Sequence, residues 1–297
     1  MNATPAIFDQ ALLDARRRRA LSRAVPGADF LLEAVADDLV ERLAAVNREF
    51  PVAVELGSPL PLVAERLTVS GQVSRLVRLD RLAEARPDVV GDVEALPLAP
   101  ERLDLVVSAL WLNWVNDLPG AFAQIRRALR PDGLFLAAMI GGDTLSELRH
   151  ALAAAEAETT GGAAPRVAPF ADVRSVGALL QRAGFALPVT DQDRHTVRYD
   201  TALDLMRDLR AMGATNVLVE RDRRPLRRAA VVRAGEIYAE RYADADGRVR
   251  ATFDVVWLSG WAPHESQQRP LRPGSARARL ADALATVERP AGDKVGR

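Results

Sequence analysis

Three carboxylates and one glycine pose the chemical question. Glu55, Asp80 and Asp92 each stand at or just past the end of a short apolar run, and Gly57 follows the first of them in VAVELGSPLPLVAERL, residues 52–67. An ionised carboxylate only accepts hydrogen bonds. Asp80, 25 residues after Glu55, can therefore take both hydroxyls of a ribose, the role such a residue has after the second strand of a nucleotide-binding sheet. It can equally be a surface aspartate that starts the next helix as its N-cap. Asp92 can accept from an adenine amino group. Trp111 and Trp114 stand either at the mouth of a pocket or under a helix as packing. In WAPHESQQRP, residues 261–270, His264 is a candidate base or ligand and Glu265 a polar neighbour. The alternative for that stretch is a polar loop that closes the sheet edge.

These residues need a scaffold that brings strand ends together. Apolar runs at Val52–Leu56, Val73–Leu79, Asp88–Gly91, Leu103–Ser108 and Leu134–Ile140 read as five strands. Helical spacing lies between several of them, in Pro61–Leu67 with proline in the first turn and in Leu118–Leu129 with Phe122, Ile125 and Leu129 on one face. Alternating strands and helices mean βαβ units and a parallel sheet. The run at 134–140 is apolar on both faces, as inside a covered sheet. Ligands of such sheets lie beyond the carboxyl ends of the strands, which here are Glu55–Ser58, Asp80, Asp92, Ser108–Trp111 and Gly141–Thr144. Arg130–Gly133 is expected to be a turn with its glycine at positive φ. Thr144–Glu147 has the spacing of a capping box. Asp29–Val46 reads as a helix ahead of the first strand. After residue 160 come helices at Phe170–Gly184, Leu203–Met212 and Arg227–Tyr242, and strand-like runs at Ala186–Tyr199 and Thr252–Leu258, the former a candidate for antiparallel pairing. Tyr242–Arg248 lacks the carboxylate series of a calcium loop and reads as a turn.

Composition narrows the function classes. The chain has 297 residues, 48% of them hydrophobic, with 40 basic and 40 acidic side chains. A zero balance argues against a dedicated nucleic-acid partner. No apolar run reaches the ~18 residues of a transmembrane helix, and a cytoplasmic protein is the default expectation. The absence of cysteine excludes disulfides, thiolate–zinc sites and a cysteine nucleophile. Three separated histidines give no metal motif, and no residue stands out as catalytic. Arg16–Arg19, RRRR, reads as the solvated face of a helix, with a targeting or nucleic-acid arm as the alternative; Asp9 and Asp14 count against a transit peptide. Four segments are expected: N-terminal helices at 1–49, an α/β core at 50–200, helical and strand elements completing the sheet at 201–287, and a disordered tail at 288–297.

Asp92–Arg149 combines the post-strand aspartate, LDLVVS, a W-V-x-D turn, a helix and L-R-P-D-G before the fifth strand. This block resembles the class I S-adenosylmethionine-dependent methyltransferases. IFDQALLDARRRRA, GGDTLSELR, LMRDLRAMGATN and WAPHESQQRP are similar, along nearly the whole chain, to the complex I assembly factor 5 family. That family is methyltransferase-like, and its mitochondrial member hydroxylates an arginine of a respiratory NADH–quinone oxidoreductase subunit. Carboxyl methyltransferases of the biotin pathway resemble the core, but less well in the tail. The resemblance implies a doubly wound, mostly parallel sheet of class I methyltransferase type with a family-specific C-terminal part, in a bacterial relative of the assembly factor. It implies S-adenosylmethionine as cofactor, with Glu55, Gly57 and Ser58 at the methionine end, Asp80 at the ribose, Asp92 at the base, and Ser108 and Ala109 beside them. Trp111, Asn113, Trp114, His264 and Glu265 fall on the substrate side.

Two departures matter. The family's first loop reads like D-L-G-C-G-x-G, and here it is Glu55-Leu-Gly-Ser-Pro-Leu-Pro61. Proline has no N–H and a fixed φ, so two donors are lost and two rings are added where the ligand passes. Asn113 stands where relatives often have histidine, and it cannot act as a base near neutral pH. Three functions follow: a cofactor-dependent enzyme that modifies a protein, such as a complex I subunit; a non-catalytic assembly chaperone; or a carboxyl methyltransferase of a small or carrier-bound acid, with Arg221–Arg228 as a candidate docking surface.

Overall fold

A computed structural model describes residues 6–268 and 279–287. The chain forms one large compact unit, 1–263, and a second, 264–297. In the second, the described residues form a turn at 265–267 and a four-residue helix, Leu280–Ala283. The tail expected at 288–297 lies outside the described residues.

The large unit begins with two helices, α1 (Gln10–Arg23) and α2 (Phe30–Ala44). Then β1 (Phe50–Leu56), α3 (Leu62–Ser70), β2 (Val73–Asp80), β3 (Val89–Val90), β4 (Leu103–Ala109), α4 (Leu118–Ala128) and β5 (Leu129–Gly141) build the parallel half. The remainder is α5 (Ser146–Thr160), α6 (Val173–Arg182), β6 (Ala186–Tyr199), α7 (Ala202–Ala211), α8 (Arg228–Tyr242) and β7 (Val249–Trp261). The strand order is β3-β2-β1-β4-β5-β7-β6. Pairs from β3 to β5 are parallel, and β7 runs antiparallel to both β5 and β6. The antiparallel pairing expected of Ala186–Tyr199 is therefore present.

Period-two alternation explains why the central strands are apolar on both faces. On β5, Leu134, Leu136 and Ala138 point into a core shared with Leu39, Leu67 and Ile237, while Phe135, Ala137 and Met139 meet Phe122, Ile125 and Leu180 on the other side. Fully burying one such side chain contributes about 1.5–3 kcal/mol. Helices thus cover both faces, and the strand ends carry the polar residues.

Two local expectations fail for identifiable reasons. The Arg130–Gly133 turn lies inside β5, whose register against β4 jumps from Leu103↔Leu129 to Leu105↔Leu134. Asp132, at φ 64, takes the left-handed conformation instead of Gly133. The glycine is needed for closeness, since a Cβ there would lie 2.9 Å from Arg130 O. The capping box of Thr144–Glu147 does not form either. α5 starts one residue later, with Leu145 at φ 54 in the N-cap position and no side-chain cap. Both capping side chains are taken by β7: Thr144 Oγ1 accepts from Asp254 N at 2.8 Å, and Glu147 accepts from Thr252 Oγ1 at 2.5 Å.

The same junction holds a buried charge. Asp254 is fully buried on β7, accepts from Asp143 N at 2.9 Å, and takes Arg194 Nε and Nη2 at 2.7 and 2.8 Å. Burial works against its charge, but the Arg194 hydrogen bonds and the Asp143 N–H outweigh it and hold the carboxyl below the ordinary aspartate value. Gly142, at φ 57, lets the loop pass, because a Cβ there would lie 2.6 Å from Asp254 Oδ2. Asp254→Ala removes these bonds, but Arg194 is half exposed and regains water. The expected loss is therefore about 2 kcal/mol, below the cost of stranding a fully buried charge, and is read as a lower urea midpoint.

Candidate functional site

The carboxyl ends of β1, β2 and β4 converge under α1. That helix is fixed across them at its start: Ile7 N and Phe8 N both donate to Asn116 Oδ1 at 2.8 Å, and Asp9 N donates to Val217 O at 2.8 Å. Asp9 caps the helix by accepting from Leu12 N at 3.0 Å. The docked helix turns Leu13 and Arg17, one turn apart, into the protein.

Arg17 corrects the reading of RRRR as a wholly solvated face. It is 5% exposed. Its Nη1 and Nη2 meet Asp80 Oδ1 and Oδ2 at 3.1 and 2.6 Å, and Nη2 also donates to Gly57 O at 3.2 Å. The guanidinium carbon lies 4.2 Å from the centroid of the Trp111 ring, a cation–π stack. Trp111 in turn covers Gly57: a Cβ built on that residue would fall 2.0 Å from Trp111 Cδ1. At φ 80, Gly57 also has a conformation that disfavours any side chain. The space between Gly57 and Asp80 is thus held by Arg17 and Trp111. Pro59, the expected obstruction, instead sits in the wall of a neighbouring cavity.

Asp80 is not the helix cap of the alternative reading; its Oδ1 accepts from Leu82 N at 2.7 Å within a turn, and the rest of its capacity goes to Arg17. Glu55 is 1% exposed, and neither carboxylate oxygen has a hydrogen-bond partner. Burial pushes its pKa up to about 7, against the pull of the Arg78 guanidinium, whose Nε is 3.4 Å away. Arg78 cannot turn fully to it, because Nη2 donates to Ser58 O and Nη1 to Ala85 O and Arg86 O. Ser58 is buried and spends its hydroxyl on Leu60 O at 2.9 Å; Ser108 does the same with Leu56 O at 2.9 Å. Asp92 stands apart and half exposed, accepting from Glu94 N at 2.9 Å with Arg81 Nη1 at 3.6 Å.

Beside this buried group lies a cavity of about 360 Å³. Its walls are chiefly apolar, with Leu32, Leu60, Ile140, Phe170 and Phe253 among them, and Ala109, Trp111, Asn113, Trp114 and Arg17 also reach it. Glu55, Gly57 and Asp80 do not line it. Asn113 has a structural contact set: oriented by its neighbours, its amide donates to Leu110 O at 3.2 Å and accepts from Trp114 Nε1 at 3.0 Å. Trp114 packs edge-on against Phe8 at 5.6 Å between ring centroids. His264 and Glu265 belong to the second unit, where both are exposed and His264 Nδ1 pairs with Ser266 Oγ at 2.7 Å. In the Arg221–Arg228 run, Arg221 pairs with Asp9 at 3.1 Å and Arg224 with Asp222 at 3.2 Å. Among the described residues, no group of three or more His, Cys, Asp or Glu is placed to hold a metal ion, and no helix is long and apolar enough to cross a membrane.

The donor set suits a nucleoside carrying a cationic tail. A buried diol acceptor, a buried carboxylate without a hydrogen bond and a glycine adjoin one another, although a guanidinium and an indole occupy the space between them and the Gly57 N–H and carbonyl are engaged by Leu79 O and Arg17. Sequence reasoning missed Arg17. The signal was its position four residues after Leu13, the helix's one strongly buried leucine.

Residues 62–137 match the family described as Methyltransferase domain. The chain is 40% identical over 264 residues to arginine-hydroxylase NDUFAF5, mitochondrial, of Danio rerio, covering 86% of this chain and 82% of that protein. The Homo sapiens protein of the same name is 38% identical over 281 residues, covering 91% and 81%. A malonyl-[acyl-carrier protein] O-methyltransferase of Xylella fastidiosa (strain M23) is 35% identical over 263 residues, covering 83% and 87%. In structure, the fold matches that of a candidate methyltransferase from Bacillus halodurans C-125 with a TM-score of 0.52 at 15% identity, covering 77% of this chain and 100% of that one. The sheet is thus of the class I methyltransferase type.

The buried Glu55, with the Arg78 guanidinium as its ion-pair partner at 3.4 Å and no hydrogen bond, makes stability depend on pH. Its folded pKa, about 7, lies above the ordinary 4.5. The folded protein therefore holds a proton that the unfolded chain releases, and stability falls as pH rises from about 4.5 through 7. Glu55→Gln mimics the protonated form. Urea titrations should show the variant gaining on the parent over that window, by about 3 kcal/mol above pH 7; parallel curves would mean that Glu55 is solvated.

Proposed function

Because the chain belongs to the arginine-hydroxylase NDUFAF5 family, we propose that it binds S-adenosylmethionine and modifies a protein side chain, in the manner of an assembly factor acting on a subunit of respiratory NADH–quinone oxidoreductase. A cytoplasmic location is part of this proposal. The observation that carries it is the buried framework of Glu55, Gly57 and Asp80 at adjoining strand ends.

In this reading Asp80 accepts from the ribose hydroxyls, and Glu55 faces the ammonium of the methionine part. Gly57 gives the backbone its close approach, Ser58, Ser108 and Ala109 form the floor, and Asp92 lies toward the base. The bound cofactor supplies an activated methyl group. The chain's contribution to such a transfer is proximity and alignment, for which the apolar cavity beside Trp111 and Asn113 offers a water-poor chamber for the acceptor. The relatives are named arginine-hydroxylases, which supports an arginine side chain as the group acted on. The relationship to the malonyl-carrier methyltransferase supports a carrier-bound acid as the alternative acceptor.

A second reading has its own observation. Arg17 occupies Asp80, and Trp111 covers Gly57, as suits a non-catalytic protein that holds a subunit during assembly. Calorimetric titration with S-adenosylhomocysteine separates the two. Saturable binding well below 1 mM, weakened at least tenfold by Asp80→Ala, is expected; no heat at 1 mM, a limit of about −4 kcal/mol, leaves the non-catalytic reading.

A further inference from the structure

We propose that the outer face of α1, with the end of α7 and the segment that follows it, docks an acidic stretch of the protein acted on, and that this stretch flanks the side chain that enters the chamber. This rests on the reading that the chain works on a protein.

The face is made of arginines from three places. Helical spacing puts Arg16, Arg19 and Arg23 on one side of α1, while Arg17 points inward and Arg18 pairs with Glu84. Arg210 stands in the last turn of α7. Arg221 and Arg223 follow Leu218, whose bridge to Phe8 holds that segment beside the start of α1. Arg16 Nη1 donates to Thr215 Oγ1 and so ties the helix to the segment after α7.

The cluster is short of acid. Among the described residues, Arg16, Arg19, Arg23 and Arg210 make no ion pair. Asp9 pulls on Arg16, but it is already paired with Arg221 at 3.1 Å. Burial, joined by the fields of Arg221, Arg19 and Arg210, pushes the pKa of the half-buried Arg16 down. A guanidinium nevertheless stays charged near neutral pH. The repulsion therefore remains in the free protein, and an anion laid across the arginines relieves it.

The elements that carry the arginines are also chamber walls. Ala20 and Leu21 of α1 and Met212 and Gly213 after α7 line the chamber. They meet closely: a Cβ on Gly213 would lie 3.3 Å from Ala20 Cβ and 3.4 Å from Arg16 O. One side chain of a bound stretch can enter the chamber while its neighbours meet the arginines. From Arg16 to Arg23 the helix rises about 10 Å, which an extended peptide spans in about three residues. The complementary stretch thus carries carboxylates within a few residues of the modified one. A nucleic acid calls for a basic excess and exposed rings for stacking. The charge balance here is zero, and the large exposed hydrophobic side chains among the described residues include no aromatic one.

Fluorescence anisotropy with two short labelled peptides tests this. One carries an arginine flanked on each side by glutamates; the other has glutamines in their place. The acidic peptide should bind at least tenfold more tightly, and Arg16→Gln combined with Arg210→Gln should remove that advantage. Arg19→Gln with Arg210→Gln changes only exposed side chains and carries the test if the first variant does not fold. Arg207→Gln, on the same helix but paired with Asp204, should change nothing. Equal affinity for the two peptides, or an advantage that survives in the variants, overturns the inference. Tighter binding of a single-stranded DNA of equal charge, or of phosphatidylglycerol vesicles, overturns it too and makes the face a nucleic-acid or membrane surface. S-adenosylhomocysteine should bind parent and variants alike by calorimetry. If the parent fails to bind it while the peptide result stands, the cofactor reading falls and the docking face remains.

Discussion

A guanidinium taken out of water must bring its partners with it. Arg17, at 5% exposure, has three: a carboxylate, a backbone carbonyl and an aromatic face. Each comes from a different strand end, Asp80 from β2, Gly57 from the turn after β1, and Trp111 from the turn after β4. The pairing therefore fixes α1 against the sheet at one point and joins three otherwise separate loops. It also decides the character of the site, since it turns what would be an open acidic crevice into a filled, nearly neutral one.

The sheet was legible because its signal is distributed. Apolar alternation in β4 and β5, and the helical spacing of Phe122 and Ile125, repeat over several residues, and no single contact can override them. The order of acidic residues at strand ends was legible for the same reason. Features that hang on one residue were not. The capping box at Thr144 had the right spacing, but β7 competes for both of its side chains, and β7 lies a hundred residues further on. The turn at Arg130–Gly133 had the right residues, yet pairing of Leu129 with Leu103 drew it into the strand. Arg17 was masked by its neighbours, since four consecutive arginines look alike until helical phase separates one from the rest.

The cavity and the charged group divide the site into two environments. Trp111 and Arg17 line the apolar chamber, and the Glu55 and Asp80 carboxylates do not. Glu55 illustrates the consequence of a dry location: with Arg78 held by three carbonyls, it lacks a hydrogen bond, and its proton becomes as labile as that of a histidine. The Asp254–Arg194 junction is the opposite case, a buried carboxylate fully served, which ties the loop after β5 to the antiparallel end of the sheet.

The latch of Phe8 onto Leu218 has a consequence for how the molecule comes into being. The first helix leaves the ribosome before any strand exists, but the backbone it pairs with is made about two hundred residues later. Asp80, Gly57 and Trp111 are all complete by residue 111, but the pairing that seats α1 over them waits for Val217 and Leu218. Seating the helix therefore closes a loop of about two hundred residues, whose ordering costs chain entropy before its contacts repay it.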